Sequence, residues 1–409
     1  MRTSTVHRVV NRLNMVEPVA HEELCDRAAA LFQARFGGGP DGVWVAPGRV
    51  NLIGEHIDYI GAKVMPFALP YATAVAVRVH SHDRLRMVST GHDDGWEGSG
   101  VDIAPRQPRG WAGYVAGVPW AMTYHDTIAR IPGLDIAVHS SVPQGAGLSS
   151  SAALESATAL AIAELFGAAT DDAGRRTLAR DCITAENVVV GAATGGMDQS
   201  VALRAKPGHA MLLDCSTFGA EYLPFDCRPS GLALLVINTN AAHRLVDGGY
   251  GLRRSRVERV CARIPRSALY DNDDVEAVLH CADADDPALR RVLRHVLTEI
   301  RRVAAAATAL RSGEIAAVGP LLTASHVSLR DDLVVSSPEL DTAVDAALEA
   351  GALGARMVGG GFGGSALALI RSDRVGFIIE AARRSARDSG FPEPDFLCAI
   401  PSAAARRVY

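Results

Sequence analysis

The run Val142-Pro143-Gln144-Gly145-Ala146-Gly147-Leu148-Ser149-Ser150-Ser151-Ala152-Ala153 joins a glycine turn to three serines at the head of a small-residue segment. Such a junction presents unpaired backbone N–H groups and the positive end of a helix dipole, which together suit a phosphate. Gly145 and Gly147 let the backbone approach oxygens that a Cβ would push away. No Gly-Lys-Ser or Gly-Lys-Thr follows, so this is not a Walker-type loop. Many helices begin this way for structural reasons alone; the turn gains meaning from three companions. The first is the segment 47–59, which packs Arg49, Asn51, Glu55, His56 and Asp58 into thirteen positions. Gly48 and Gly54 predict breaks in regular structure there, so that the polar groups converge. Val50, Leu52 and Ile53 take the segment into the interior, where unpaired polar groups would cost several kcal/mol. Acceptors and a mixed donor at that density favour a ligand with many hydroxyls over a solvated loop.

The second companion is Glu186 with Gly195-Gly196-Met197-Asp198-Gln199, carboxylates that can serve as base or electrostatic partner. Taken singly, Asp198 also reads as a helix N-cap and Glu186 as a surface charge. The third is 354–364, read as a ligand-facing turn: five glycines in the six positions 359–364 let two backbones approach closely.

Periodicity supplies the elements that must position these groups. An amphipathic helix is predicted over 22–36, stopped by Gly37-Gly38-Gly39-Pro40. Short strands follow at 43–46, 72–79, 85–89 and 135–140, with helices at 110–123, 150–166 and 175–190. After Lys206-Pro207-Gly208 the pattern restarts with strands at 210–214 and 232–238. Helices are then predicted at 253–263, 286–312, 314–328 and 337–350, the second begun by Asp286 as N-cap before Pro287. A strand at 366–370 and a helix at 375–388 close the chain. This mixed order lacks steady βαβ alternation and predicts an α+β fold. The expected divisions are a leader at 1–20, an N-terminal lobe at 21–207 and a C-terminal lobe at 208–409.

With 409 residues, the chain can build two domains or one large bilobal unit. Its 48% hydrophobic and 21% charged content is that of a packed, soluble protein. A net charge of −5 gives no footprint for nucleic acid or an anionic membrane, so any phosphate site must be local. Lysine occurs only at 63 and 206; arginine supplies the remaining positive charge. Seven scattered cysteines without a CxxC pair argue against zinc or a disulfide framework and for a reducing compartment. The first residues lack a signal-peptide core, and no apolar run is long enough to span a bilayer. A cytoplasmic location is expected.

On these residues the chain resembles the galactokinases of the GHMP small-molecule kinase superfamily, from about residue 40 to 405. The resemblance rests on Gly-Arg-Val-Asn-Leu-Ile-Gly-Glu-His-Ile-Asp-Tyr at 48–59, the phosphate loop at 143–155 and the glycine-rich stretch at 354–364. Trp111-x-x-Tyr114-Val115-x-Gly117-Val118, Met197-Asp198-Gln199, Tyr250 before Arg253-Arg254, and Ser337-Pro338-Glu339-Leu340-Asp341 add to it. It implies a GHMP-kinase-like architecture of two α+β lobes with the active site in the cleft between them. The implied activity is ATP- and Mg²⁺-dependent phosphorylation of the C1 hydroxyl of α-D-galactose. By this resemblance Arg49 and Asp198 flank that hydroxyl, Asp198 taking or attracting its proton and Arg49 stabilising the transferring phosphoryl group. Glu55, His56, Asp58, Gly195 and Tyr250 would contact the other sugar hydroxyls. Gly145, Ala146, Gly147, Leu148, Ser149, Ser150 and Ser151 would cradle ATP, and Ser151 and Glu186 would hold Mg²⁺. Trp111 reads equally as an adenine neighbour or a core residue. The expected partner is a small-molecule sugar or polyol, with no nucleic acid or membrane, and the expected state a monomer or weak homodimer. Ile57, the segment Ile60-Gly61-Ala62-Lys63, Gly196 and Val358 depart from the family pattern, which keeps another polyol acceptor open. A non-catalytic sugar sensor is the remaining alternative.

Overall fold

The computed structural model describes residues 15–92, 94–241, 249–270, 274–281 and 286–409. Its strands run, in chain order, β1 Gly42–Asn51, β2 Lys63–Val64, β3 Pro66–His80, β4 Arg84–Ser89, β5 Trp96–Ser99, β6 Gly133–Ser140 and β7 His209–Asp214. Then follow β8 Gly219–Pro224, β9 Leu232–Asn238, β10 Gly354–Val358, β11 Ser365–Arg371, β12 Asp395–Cys398 and β13 Arg406–Arg407. They form a six-stranded sheet (β13-β1-β3-β6-β4-β5), a four-stranded sheet (β10-β11-β9-β12) and a small one (β2-β7-β8). Only β4 with β6 pairs parallel among the described strand pairs.

The period-two alternation of β1 and β3 explains how the largest sheet is covered. Trp44, Ala46, Val75 and Val77 pack on one face with the helices Trp111–Tyr124 and Ser150–Phe166. Val43, Val45, Ala72, Ala74 and Ala76 point the other way, where Leu24, Ala28 and Phe32 of the helix His21–Phe36 cover them. The alanines on that face let the helix lie close. Ser150–Phe166 is apolar nearly all round and correspondingly buried, as a helix wedged between sheet and neighbouring helices must be. Asp286 caps Pro287–Arg311 by accepting from the Ala288 amide, as predicted.

The two lobes interlock. β13 pairs with β1, so residues from near the end of the chain finish the N-terminal sheet. Conversely, the Val16 amide donates to Phe396 O at 2.8 Å beside β12. We retain residue 207 as a proposed division, with the chain crossing between lobes on either side of it.

Three local readings need correction. Gly48 does not break the strand: β1 continues through it, with a register shift between Pro47 and Arg49. A Cβ at Gly48 would sit 2.6 Å from the Leu148 carbonyl oxygen, so close approach of the phosphate loop requires the glycine. The helix predicted at 175–190 is α-helical over Asp172–Thr184 and widens to a π-turn over Ala185–Val190. The first residues of the glycine-rich stretch form strand β10 rather than a turn.

Away from the cleft, Asp135 on β6 is fully buried and accepts from Arg78 at 2.8 Å and Arg86 at 2.7 Å. The two guanidiniums also lie over Phe32 and Phe36, pinning the helix His21–Phe36 to the sheet. Asp135→Ala is expected to lower stability by about 1–3 kcal/mol, since the part-exposed arginines regain water. Thermal melts would show this, while kcat per folded molecule stays at the wild-type value.

Candidate active site

A bidentate contact joins two segments that lie far apart in the chain. Arg49 Nε donates to Asp198 Oδ1 at 2.7 Å and Nη2 to Oδ2 at 2.6 Å. Arg49 reaches this point from β1, and Asp198 from the first turn of the helix Met197–Arg204. Asp198 is therefore not the N-cap; Gly196 holds that position, left-handed at φ 91°. The same guanidinium donates through Nη1 to Gly147 O at 2.8 Å, and Ser149 Oγ donates to Asp198. One arginine thus ties the phosphate loop to the carboxylate. Burial favours the neutral guanidine, but the charges of Asp198 and Glu55 outweigh it and raise the Arg49 pKa.

The cleft around this contact has a volume of about 620 Å³. Gly145, Gly147, Leu148, Ser149, Ser150 and Ser151 line it, with Glu55, His56, Asp58 and Glu186. Gly145 and Gly147 are left-handed at φ 71° and 72°, and Ser149 at φ 59° turns the chain into Ser150–Phe166. The helix thus begins at the cleft wall, and the first turn of a helix carries amides without intrahelical partners. Ala146 does not reach the cleft wall: it is fully buried, and its carbonyl accepts from Ser365 Oγ at 2.7 Å.

Glu186 sits on the π-turn, buried, with Gln199 Nε2 donating to it at 2.6 Å and the Ser151 hydroxyl bonded to it. The same Nε2 donates to buried Glu155 at 3.1 Å. Burial, and then the charge of Asp198, pushes Glu186 up to about 7. Burial and Glu186 raise Glu155 well above the carboxylate range. Ser151 and Glu186 are hard oxygen donors suited to Mg²⁺ with phosphate and water completing the shell. Among the described residues no group of three or more His, Cys, Asp or Glu is arranged to hold a metal.

On the acceptor side, Glu55 Oε1 accepts from the Gly359 amide at 2.8 Å and pairs with Arg356 at 3.0 Å. Its Oε2 accepts from Asn51 at 3.1 Å. His56 is left-handed at φ 61°, with Nδ1 3.3 Å from the Tyr59 hydroxyl. Burial, then the neighbouring His295, brings its pKa down to about 3, so the ring is neutral at physiological pH. Asp58 is pushed up to about 7 by burial and then by the charges of Asp198 and Glu55. Gly195 stands behind Asp58 rather than in the cleft wall: a Cβ there would lie 2.3 Å from Asp58 Oδ2. Tyr250 falls in the helix Gly249–Cys261, but its side chain lies outside the described residues.

The glycine-rich turn does bring backbones together. A Cβ at Gly359 would meet Gly147 O at 3.1 Å, and one at Gly364 would meet Ala146 O at 3.3 Å. Trp111 stacks on His92 at 5.7 Å, and Tyr114, one helical turn on, lines the cleft instead. Tyr114, Glu155 and Thr194 stand in or behind the cleft without having been assigned to it from the sequence. Tyr114 follows Trp111 at helical spacing, and that was the usable signal; a buried Glu on an apolar helix was the signal for Glu155.

Asp58 has a folded pKa above its unfolded value. The native state therefore keeps a proton that the unfolded chain releases, and this group's share of stability falls as pH rises from about 4 to about 7. Asp58→Asn is expected to raise the melting temperature of the ligand-free protein most at pH 8, with the gain shrinking towards pH 4. A gain independent of pH would remove the titration of Asp58 as its cause.

Residues 30–79 match the galactokinase galactose-binding signature, 114–206 the GHMP kinases N-terminal domain and 306–388 the GHMP kinases C-terminal domain. The chain is 43% identical to a galactokinase of Streptomyces coelicolor over 95% of this chain and 99% of that protein. It is 40% identical to a galactokinase of Mycobacterium tuberculosis over 85% of this chain and 94% of that one. A crystal structure of Lactococcus lactis galactokinase complexed with galactose superposes with a TM-score of 0.85 at 27% identity, covering 95% of this chain and 100% of that one. A Methanococcus jannaschii mevalonate kinase shares the fold alone, with a TM-score of 0.61 at 15% identity over 88% of this chain and 98% of that one. A sugar-loop signature, both halves of the kinase fold and end-to-end similarity to curated relatives agree: the chain belongs to the galactokinase family of GHMP kinases.

Proposed function

We propose that the protein transfers the γ-phosphoryl group of ATP to the C1 hydroxyl of α-D-galactose, giving galactose 1-phosphate and ADP. The observation that carries this reading is the Arg49–Asp198 pair held between the glycine-serine loop and the polar segment at 55–58. Asp198 accepts or attracts the proton of the attacking hydroxyl. Arg49, already fixed at Asp198 and Gly147 O, stands where charge on the transferring phosphoryl group needs a cation. Residues 145, 147 and 149–151 hold the nucleotide phosphates through backbone amides and hydroxyls. Ser151 and Glu186 would hold Mg²⁺, which would neutralise charge at the phosphates. Glu55, His56, Asp58 and Tyr250 orient the remaining sugar hydroxyls, with Gly195 making room for Asp58. Such chemistry rests on positioning and electrostatics, since phosphoryl transfer asks little covalent work of the protein.

The departures from the family pattern bear on the acceptor. Ile57, Ile60, Ala62, Lys63, Gly196 and Val358 are not among the cleft-lining residues. Lys63 is exposed on β2 opposite Asp214, and Val358 is buried in β10. This supports galactose over another polyol. We infer a cytoplasmic enzyme acting on a small molecule; among the described residues no helix is long and apolar enough to cross a membrane.

Incubation with Mg-ATP and galactose is expected to release ADP and galactose 1-phosphate in equal amounts. Preferential turnover of another polyol would overturn the acceptor. Asp198→Asn is expected to reduce kcat by about 10²–10⁴-fold while calorimetry still detects nucleotide binding. A rate within threefold of wild type would remove Asp198 from the chemistry. Glu186→Gln is expected to raise the Mg²⁺ concentration for half-maximal rate about 10–100-fold, read from magnesium titrations at saturating substrates.

A further inference from the structure

The segment that carries Glu55, His56 and Asp58 is held from behind by a helix of the other lobe. Glu299, on Pro287–Arg311, is fully buried. Its Oε1 accepts from the Gly54 amide at 2.9 Å, the Glu55 amide at 3.3 Å and Ser325 Oγ at 2.8 Å. Its Oε2 accepts from Arg302 Nε at 2.7 Å. One helical turn earlier, His295 Nε2 donates to Glu55 O at 3.1 Å. One turn later, Val303 packs so tightly on Gly54 that a Cβ there would lie 3.0 Å from its Cγ2. His295, Glu299 and Val303 thus share one helix face, and all three meet the same turn.

That turn needs a clamp. Gly54 takes φ 104° at no steric cost, but His56 at φ 61° is left-handed, a conformation that a non-glycine residue keeps only where the surroundings over-determine it. The amides of Gly54 and Glu55 find their acceptor in Glu299. A buried carboxylate is a costly way to fill space, and an apolar side chain would pack at less expense. It is kept charged here: burial would raise its pKa, but Arg302, His295 and Arg356 outweigh that and hold it at about 2. Neither Glu299 nor His295 lines the cleft.

We propose that Glu299 and His295 are positioning residues for the acceptor pocket, fixing the Gly54–Glu55 backbone so that Glu55, His56 and Asp58 face the sugar. This deepens the galactose reading and rests on it for the identity of the acceptor; the clamp itself does not depend on which sugar binds.

The test uses the full chain with Glu299→Ala, Glu299→Gln and His295→Leu. Glu299→Ala leaves both amides without an acceptor, whereas Glu299→Gln retains an oxygen that can accept them. In Glu299→Ala, the Gly54 and Glu55 amides are expected to exchange hydrogen about 100-fold faster, and the KM for galactose to rise at least tenfold. The KM for ATP should stay within twofold, and Glu299→Gln should recover most of the loss. A variant that melts earlier but keeps wild-type amide exchange and galactose KM would overturn the proposal. Should Glu299→Ala fail to accumulate, His295→Leu carries the test: a galactose KM at least fivefold higher with the ATP KM unchanged supports the clamp, and equal effects on both substrates refute it. Amide exchange separates this claim from the choice of sugar. If wild-type protein fails to bind galactose in calorimetry, the acceptor reading falls, while faster exchange at 54 and 55 still supports the clamp.

Discussion

The contact between Arg49 and Asp198 is the constraint on which the cleft depends. It draws a strand of the large sheet, the turn before a serine-headed helix and the start of a short helix to one point. A largely buried ion pair is a poor device for stability, because desolvation consumes most of its Coulombic gain. Its value here is geometric. The planar guanidinium fork accepts only one orientation of the carboxylate, and its third nitrogen fixes the phosphate-loop carbonyl in the same plane of contacts.

Around that pair the cleft gathers acids. Asp58 and Glu186 are both pushed up to about 7, in each case by burial first and the charge of Asp198 second. Crowding of buried carboxylates with raised pKa values is characteristic of functional sites rather than of structural ones. The protein accepts this tension at the site and compensates elsewhere. Asp135, for instance, is surrounded by Arg86, His80 and Arg78, and their hydrogen bonds lower its pKa despite burial.

The backbone chemistry was legible in advance. Gly145 and Gly147 tolerate positive φ and the serines suit a helix start, and both preferences are local; the left-handed turn at Ser149 is not one of them. Asp286 before Pro287 specified a cap for the same reason. Gly48 was misread because its requirement is not local: it makes room for the Leu148 carbonyl, and no neighbour in sequence reveals that. Trp111 and Tyr114 share a helix face, but Trp111, the first residue of the helix, stacks on His92 while Tyr114 reaches the cleft; position along the axis is something periodicity leaves undetermined.

From residue types and spacing alone came the anion-suited glycine-serine turn, a polar segment suited to a ligand with many hydroxyls and the α+β order of elements, all consequences of residue chemistry, short-range backbone preference and hydrophobic period. The tertiary structure decided what stands behind each functional group. Asp58 leans on Gly195, Glu186 is held by Gln199, and the turn at 54–55 is gripped by Glu299 from the other lobe. Hydrogen bonds and close contacts between residues in different elements depend on how sheets and helices stack, and nothing in a local pattern encodes which partner will arrive.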